Sequence, residues 1–371
     1  VTINGQACAA SHDVAPFDVV ALGESMVTFL PTRAGRLADV PSFERGIGGA
    51  ESNVACVLAA AGHSVRWVGR VGADGFGDHL VEAITSYGVD TSAVRRDPGR
   101  PTGIYFRTAG DRATDAHEVA YYRAGSAASA MAVQNVDLDA VRAGRVLHLS
   151  GITAALSDDC LGLMRELTAP RPGRPLVSFD VNHRPGLWRD AGTPRVLLDL
   201  ARGADIVFVG DDEAREAWGL RGAAAIRAAL PEPDVLVVKQ GRGGAIVFEK
   251  SVDGRAEDGG GVEDATDTVT DTATFVRALR VDVVAAVGAG DAFAAGFLSA
   301  TLRGLTARER LRHGHLMAAA ALTVPGDLAA PPARDHADRL AALDDSAWET
   351  LRLGPGWTEA VTRADEEVCT P

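Results

Sequence analysis

A chain of 371 residues, 46% hydrophobic and 23% charged, has an ordinary globular composition and enough length for a large core. Its net charge of −13 and isoelectric point near 5.2 provide no basic face for nucleic acid, so any anion site must be made locally. Cys8, Cys56, Cys160 and Cys369 lack metal-type pairing and read as free thiols of a cytoplasmic protein, and Val1–Phe17 lacks the features of a secretory signal.

Residues 1–16 read as a loose leader. Asp18–Glu24 is a short buried strand, Met26–Leu30 continues β-like, and Pro31, Gly35 and Pro41 break the next stretch into hairpin-like pieces. Gly46-Ile47-Gly48-Gly49-Ala50-Glu51-Ser52-Asn53 leads into a helix at Val54–Ala61, stopped by Gly62. Taken alone this is a turn with a capping Ser52 or Asn53, although adjacent glycines also let a ligand approach the backbone. A strand at Val65–Val68 and a helix at Phe76–Tyr87 come next. Thr102–Arg107 and His117–Arg123 alternate with period two, as strands of a small sheet with one wet face. The aromatic pair Tyr121-Tyr122 beside Arg123 is either packing next to a solvated charge or a carboxylate reader.

From Val146 the rhythm is regular: strands at Val146–Ser150, Leu176–Asp180, Asp205–Val209, Val235–Lys239 and Ala245–Phe248, with helices near Asp158–Leu167, near Pro194–Ala201 and from Asp212. This predicts a doubly wound, mainly parallel α/β sheet flanked by helices, with ligands at the carboxyl ends of the strands. Polar groups gather there, in Asp180-Val181-Asn182-His183-Arg184, Glu213 and Lys239-Gln240-Gly241-Arg242-Gly243-Gly244. Residues 249–274 read as an acidic surface insertion, Thr306–Leu322 as a helix ended by Pro325-Gly326-Asp327, and 346–371 as a tail. There is no internal repeat. The domain proper spans 17–345, with lid pieces near 25–46 and 101–124.

The stretch Val287–Leu298 carries the chemistry. A β-rich lead, Ala278–Val284, followed by Gly288-Ala289-Gly290-Asp291 and an Ala/Phe/Leu run reads as strand, tight turn, helix. Unpartnered amides at such a helix start make an anion site from main chain, and Asp291 sets a proton acceptor beside it. The same residues also suit an ordinary turn with an Asp cap. Asp282 and Asp291 argue against a membrane span, Phe293 stands where a dinucleotide fingerprint needs its third glycine, and there is no Walker-type lysine motif.

On these motifs the chain resembles the ribokinase-like, or PfkB, family of carbohydrate kinases over about residues 18–330. Gly48-Gly49-Ala50-Glu51-Ser52-Asn53-Val54-Ala55 looks like that family's early glycine motif, and Gly288–Asp291 like its late one. A finer likeness, to 2-keto-3-deoxygluconate kinases, rests on Gly48–Asn53, Tyr121–Ala127, His148–Thr153 and Asp180–Arg184. The resemblance implies that Asp291 takes the proton from a sugar hydroxyl attacking the γ-phosphoryl of ATP, with Gly288, Ala289 and Gly290 as the anion hole. It sets Gly49, Asn53, Tyr121, Tyr122, Arg123, Arg184 and Asp327 against a sugar acid, the small sheet acting as a lid. It gives Asn182, Lys239, Gly241, Gly243, Gly244 and His315 to ATP, and Glu213 to Mg²⁺ through water. It also implies a homo-oligomer formed through the lid sheet, with no nucleic acid or membrane partner. Ala285 and Ala286 replace the start of the family's late motif, which leaves a monovalent cation undecided. Gly210-Asp211-Asp212-Glu213 keeps only the glutamate of the family's Asn-x-x-Glu. The implied activity is phosphorylation of 2-keto-3-deoxy-D-gluconate at its terminal hydroxyl. The alternatives are a kinase of a neutral sugar (fructose, ribose) or a nucleoside, and a non-catalytic sugar-binding regulator.

Overall fold

Short apolar runs bounded by glycines and polar turns become strands covered on both faces. The computed structural model describes residues 15–33, 35–108, 118–188, 193–252 and 269–359. Its main sheet has six parallel strands: β1 (Phe17–Leu22), β4 (Val65–Val68), β9 (Gly144–Ser150), β10 (Leu176–Asp180), β11 (Ile206–Gly210) and β12 (Val235–Lys239). They lie in the order β4-β1-β9-β10-β11-β12, and the antiparallel β13 (Ala245–Val252) and β14 (Val269–Val276) extend the β12 edge. Along β1 the two-residue period sends Val19 and Ala21 to one core and Val20 and Leu22 to the other. The first core packs Phe208 and Val237 against helices Ala50–Ala60 and Ala289–Leu302; the second packs Leu149, Phe179 and Val207 against helices Asp158–Thr168 and Thr193–Arg202. Strands buried on both faces are mostly apolar along their length, which is why these runs show no regular polar alternation, and their few inner polar groups pair with one another, as His148 does with Ser178. The doubly wound, mainly parallel sheet expected from the β-α rhythm is present.

A second sheet stands apart: β2 (Met26–Pro31), β3 (Phe43–Gly48), β7 (Ile104–Arg107) and β8 (Val119–Tyr122), in the order β3-β2-β7-β8. Its registers put Gly46, Thr28, Tyr105 and Tyr121 on one face, and Phe29, Phe106 and Tyr122 on the other. Two short parallel pairs complete the strands, β5 (Arg70–Gly72) with β6 (Arg95–Asp97) and β15 (Arg280–Val281) with β16 (Arg352–Leu353).

Three expectations change. The first glycine helix begins at Ala50, not Val54, so neither Ser52 nor Asn53 caps it. Gly49 is the cap residue, Asn53 N donates to Gly49 O at 2.8 Å, and Glu51, Ser52 and Asn53 are enclosed in the first turn. The lead Ala278–Val284 is strand only at Arg280–Val281 and lies outside the main sheet, whose edge β14 already occupies. Val283 and Val284 are half-exposed, and Val284 N is tied to Leu322 O at 2.8 Å, so this apolar stretch runs along the surface. The late helix is apolar because it is core, with Ala292–Ala300 enclosed throughout. Among the described residues no helix is long and apolar enough to cross a membrane. The expected insertion at 249–274 is strand at both ends, within β13 to Val252 and β14 from Val269, and only 253–268 of it lies outside the described residues, as do 1–14, 109–117 and 360–371, which hold most of the expected leader, part of the lid and half of the tail.

Candidate active site

The late helix opens at Gly288. Its φ of +76° is left-handed, and a Cβ there would stand 2.1 Å from the carbonyl oxygen of Asp327, so only glycine fits this crossing. Ala292 N makes the first intrahelical bond, to Gly288 O at 2.9 Å. The amides of Gly288 to Asp291 therefore precede the helical ladder and have no backbone partner among the described residues, as donors at a helix start do.

Asp291 sits in that first turn and is partly buried. Asn53 Nδ2 donates to its Oδ2 at 2.8 Å, joining the early glycine motif to the late one across 238 residues. Burial pushes the Asp291 carboxyl up to about 7; the Asn53 bond opposes this, neighbouring Asp180 adds to it, and Lys239 and Arg184 pull it back. Such a group is poised to accept a proton near neutral pH. Asn53 Oδ1 is enclosed with no partner among the described residues, an acceptor left for a ligand donor.

Three neighbouring strand ends supply the charges beside it. Asp180 ends β10 and Lys239 ends β12, and Lys239 Nζ meets both Asp180 oxygens at 2.9 and 3.2 Å. A Cβ built on Gly290 would come within 3.7 Å of Lys239 Nζ, so the ammonium stands at the helix mouth. Burial alone would lower the Lys239 pKa, but Asp180 and Glu213 outweigh it and hold the amine protonated. Glu213, after β11, accepts from Gly210 N at 2.8 Å and lies 3.6 Å from Arg184 Nη1. Its carboxyl is raised by burial, against the pull of Lys239. Asn182 holds a left-handed turn (φ 40°), with its amide on Asp180 Oδ1 at 3.3 Å, and Arg184 is half-exposed at the rim. Asn tolerates that conformation better than other non-glycine residues.

The opposite wall belongs to the small sheet. A Cβ on Gly48 would stand 2.2 Å from Tyr105 Oη and 2.7 Å from Asp327 Oδ2, so this glycine makes room for the pair. Tyr105 Oη donates to Asp327 Oδ2 at 2.8 Å and Arg107 Nη2 to its Oδ1 at 2.7 Å. Burial raises the Asp327 carboxyl against the pull of Arg107 and Tyr105. Asp327 thus touches both glycine motifs, at Gly48 and at Gly288.

Residues 17–334 match the family described as pfkB family carbohydrate kinase. The chain belongs to this family. It is 32% identical over 327 residues to the 2-dehydro-3-deoxygluconokinase of Bacillus subtilis, covering 86% of this chain and 93% of that protein. It is 31% identical over 320 residues to a probable chloroplastic fructokinase-6 of Arabidopsis thaliana, covering 82% and 77%. Among solved structures, the PfkB protein of Polaromonas sp. JS666 superposes with a TM-score of 0.72 at 32% identity, over 87% of this chain and 99% of that one. The protein is a carbohydrate kinase with a ribokinase-like fold.

In this pfkB kinase Asn53 meets Asp291, Lys239 meets Asp180 and stands near Gly290, Arg184 faces Glu213, Asn182 turns on Asp180, and Asp327 lies against Gly288, so these expected site residues form one cluster. Tyr121 shares the inner lid face with Tyr105, their ring centroids 5.4 Å apart. Tyr122 does not: alternation turns it to the outer face, edge-on to Phe106 at 6.0 Å, opposite the face that carries Tyr105 and away from Asp327. Arg123 is paired with Glu24. Gly241 and Gly243 form an exposed turn with Gly244 behind it against Val276 O. His315 lies below that turn, its Nε2 3.3 Å from Val276 O and its ring 5.2 Å from Phe293. Burial lowers the His315 pKa to about 4, so it is a neutral wall residue. Glu51 of the early motif is fully enclosed and accepts from Ser150 Oγ and Thr153 Oγ1 at 2.7 Å each, away from the cleft. The sequence does not single out Tyr105, Arg107 or Glu24, and it shows Asp180 only as one polar group among several at a strand end. Strand alternation in each segment was readable, but the register that pairs Tyr105 with Tyr121 and the reach of Asp327 to Tyr105, 222 residues away, were not.

Proposed function

We propose that this carbohydrate kinase phosphorylates 2-keto-3-deoxy-D-gluconate at its terminal hydroxyl, using ATP and Mg²⁺ in the cytoplasm. The observation that carries the chemistry is the Asn53–Asp291 pair at the open helix mouth. The hydroxyl proton passes to the free oxygen of Asp291 while the hydroxyl oxygen attacks the γ-phosphorus. The bond to the bridging oxygen breaks and ADP leaves with that electron pair. Amides of Gly288 to Asp291 meet the charge on the transferring group, and Lys239 stands beside them. Among the described residues no cluster of three or more metal-ligating side chains exists, which suits a Mg²⁺ carried by phosphate oxygens and water. Mg²⁺ would neutralise phosphate charge, with Glu213 the residue to hold its water shell.

The acid substrate is supported by Arg123 at the lid and by the named activity of the Bacillus subtilis relative. The fructokinase relative and the existing Glu24 partner of Arg123 favour a second reading, a neutral sugar such as fructose. Steady-state kinetics on both separate them. The acid should show kcat/KM at least about tenfold above fructose, and Arg123→Ala should erase most of that margin, since charge-assisted bonds contribute about 1.5–3 kcal/mol. Equal or better turnover of fructose by the unaltered enzyme rules the acid out.

We also place a second copy of the chain on the outer lid face. Phe29 stacks on Phe106 at 4.7 Å, Phe43 and Phe76 meet them edge-on, and Tyr122 is 64% exposed beside them. Sedimentation equilibrium should give a dimer that Tyr122→Glu dissociates; a monomeric wild type would end this assignment.

A further inference from the structure

Glu24 follows β1 in the turn that leads into the lid, and no motif draws attention to it. Its side chain is only 1% exposed. One carboxylate oxygen, Oε1, accepts from Ser126 Oγ at 2.6 Å, and the other, Oε2, faces Nη2 of Arg123. Arg123 and Ser126 bracket the turn by which the chain leaves β8, a turn closed by Ser126 N donating to Arg123 O at 3.0 Å. The root of the lid is thereby pinned to the end of the main sheet.

The remaining donors of Arg123 are placed by the same contact. Its side chain is 10% exposed, and its enclosed Nε has no partner among the described residues. The guanidinium carbon lies 5.8 Å from the centre of the Tyr121 ring, on the lid face that also carries Tyr105. Left without an anchor, a long side chain at a lid edge samples many rotamers and turns to water, and the entropy of ordering it falls on ligand binding. Glu24 orders it beforehand. It also cancels one unit of charge, so an anionic ligand would be recognised by directed hydrogen bonds and not by net attraction.

We propose that Glu24 is a positioning residue for the sugar: it fixes one edge of Arg123 so that the free donors meet the acidic end of the substrate. The inference rests on the sugar-acid reading above. The test is a double-mutant cycle on the full chain with Glu24→Gln, Arg123→Ala and the pair, varying sugar acid and ATP separately. Glu24→Gln should raise KM for the acid about tenfold, the scale of one charge-assisted bond, while kcat and KM for ATP stay near wild type. In the Arg123→Ala background it should add nothing, and Glu24→Asp, which keeps the charge, should recover part of the loss.

An unchanged KM in Glu24→Gln while Arg123→Ala raises it overturns the proposal and leaves the substrate reading intact. So does a joint fall of kcat, ATP affinity and Tm that multiplies with Arg123→Ala, because that pattern marks a purely structural contact. An Arg123→Ala enzyme with unaltered KM, or a wild type preferring fructose, counts instead against the sugar acid. The cycle is then read on the preferred sugar: coupling there keeps the Glu24–Arg123 unit, and its absence ends it.

Discussion

Asp291→Asn should lower kcat by about 10²–10⁴ while the protein folds and binds sugar almost as before, because only the proton acceptor is lost. The amide oxygen of an asparagine can still receive the Asn53 Nδ2 bond that Asp291 receives at 2.8 Å. The pH profile gives an independent reading of the same group. Burial raises the Asp291 pKa to about 7, and the base works only when deprotonated. kcat/KM should therefore fall about tenfold per pH unit below that value and level off above it. Asn53→Ala removes a bond that favours the charged form, so its acid limb should move to higher pH. An acid limb at an ordinary carboxylate pKa, or near-normal turnover by Asp291→Asn, would remove Asp291 from the role of base.

Lys239→Met should produce the largest loss of stability together with a loss of rate. The lysine holds Asp180, whose side chain is 4% exposed, and also faces Glu213. Methionine fills the volume but strands both carboxylates, and breaking a buried pair in this way typically costs about 3–5 kcal/mol. The sign of the pH effect is set by Glu213, whose pKa is already above its ordinary 4.5 by burial and loses its main opposing charge. A carboxyl raised in the folded state destabilises it when ionised, so the deficit should be full above the folded-state pKa and shrink as pH falls through it. Asp180→Asn placed on Lys239→Met should restore part of the stability but not the rate. Urea denaturation at two pH values, with turnover alongside, checks each part. A deficit that is independent of pH and untouched by Asp180→Asn would contradict the ion-pair account.

The sequence revealed the scaffold more readily than the lid. Leu176–Asp180 and Val235–Lys239 were readable to the residue because strands buried on both faces are continuous apolar runs with polar ends. The two glycine motifs were readable because close backbone approach leaves no choice of side chain, as at Gly48 and Gly288. What failed was direction. Tyr121 and Tyr122 look equivalent in a row, and only the register with Tyr105 tells which one faces inward. The apolar lead at 278–284 mimicked a sheet strand because exposed valines carry the same composition as buried ones. Glu24 gave no sign, and neither did the contact of Asp327 with Tyr105, because the partners lie far along the chain and meet only once both sheets have formed.

The hairpin at the sheet edge separates chemistry from chain length. β13 starts beside Lys239, with Ala245 its register partner, and runs away from the cleft until Val252 pairs with Val269. Those two valines stand at the end of the hairpin away from Lys239, where lengthening a connection costs only slowly growing closure entropy. Length added between Val252 and Val269, like spare rope let out behind an anchor, would leave what Asp291 meets unaltered.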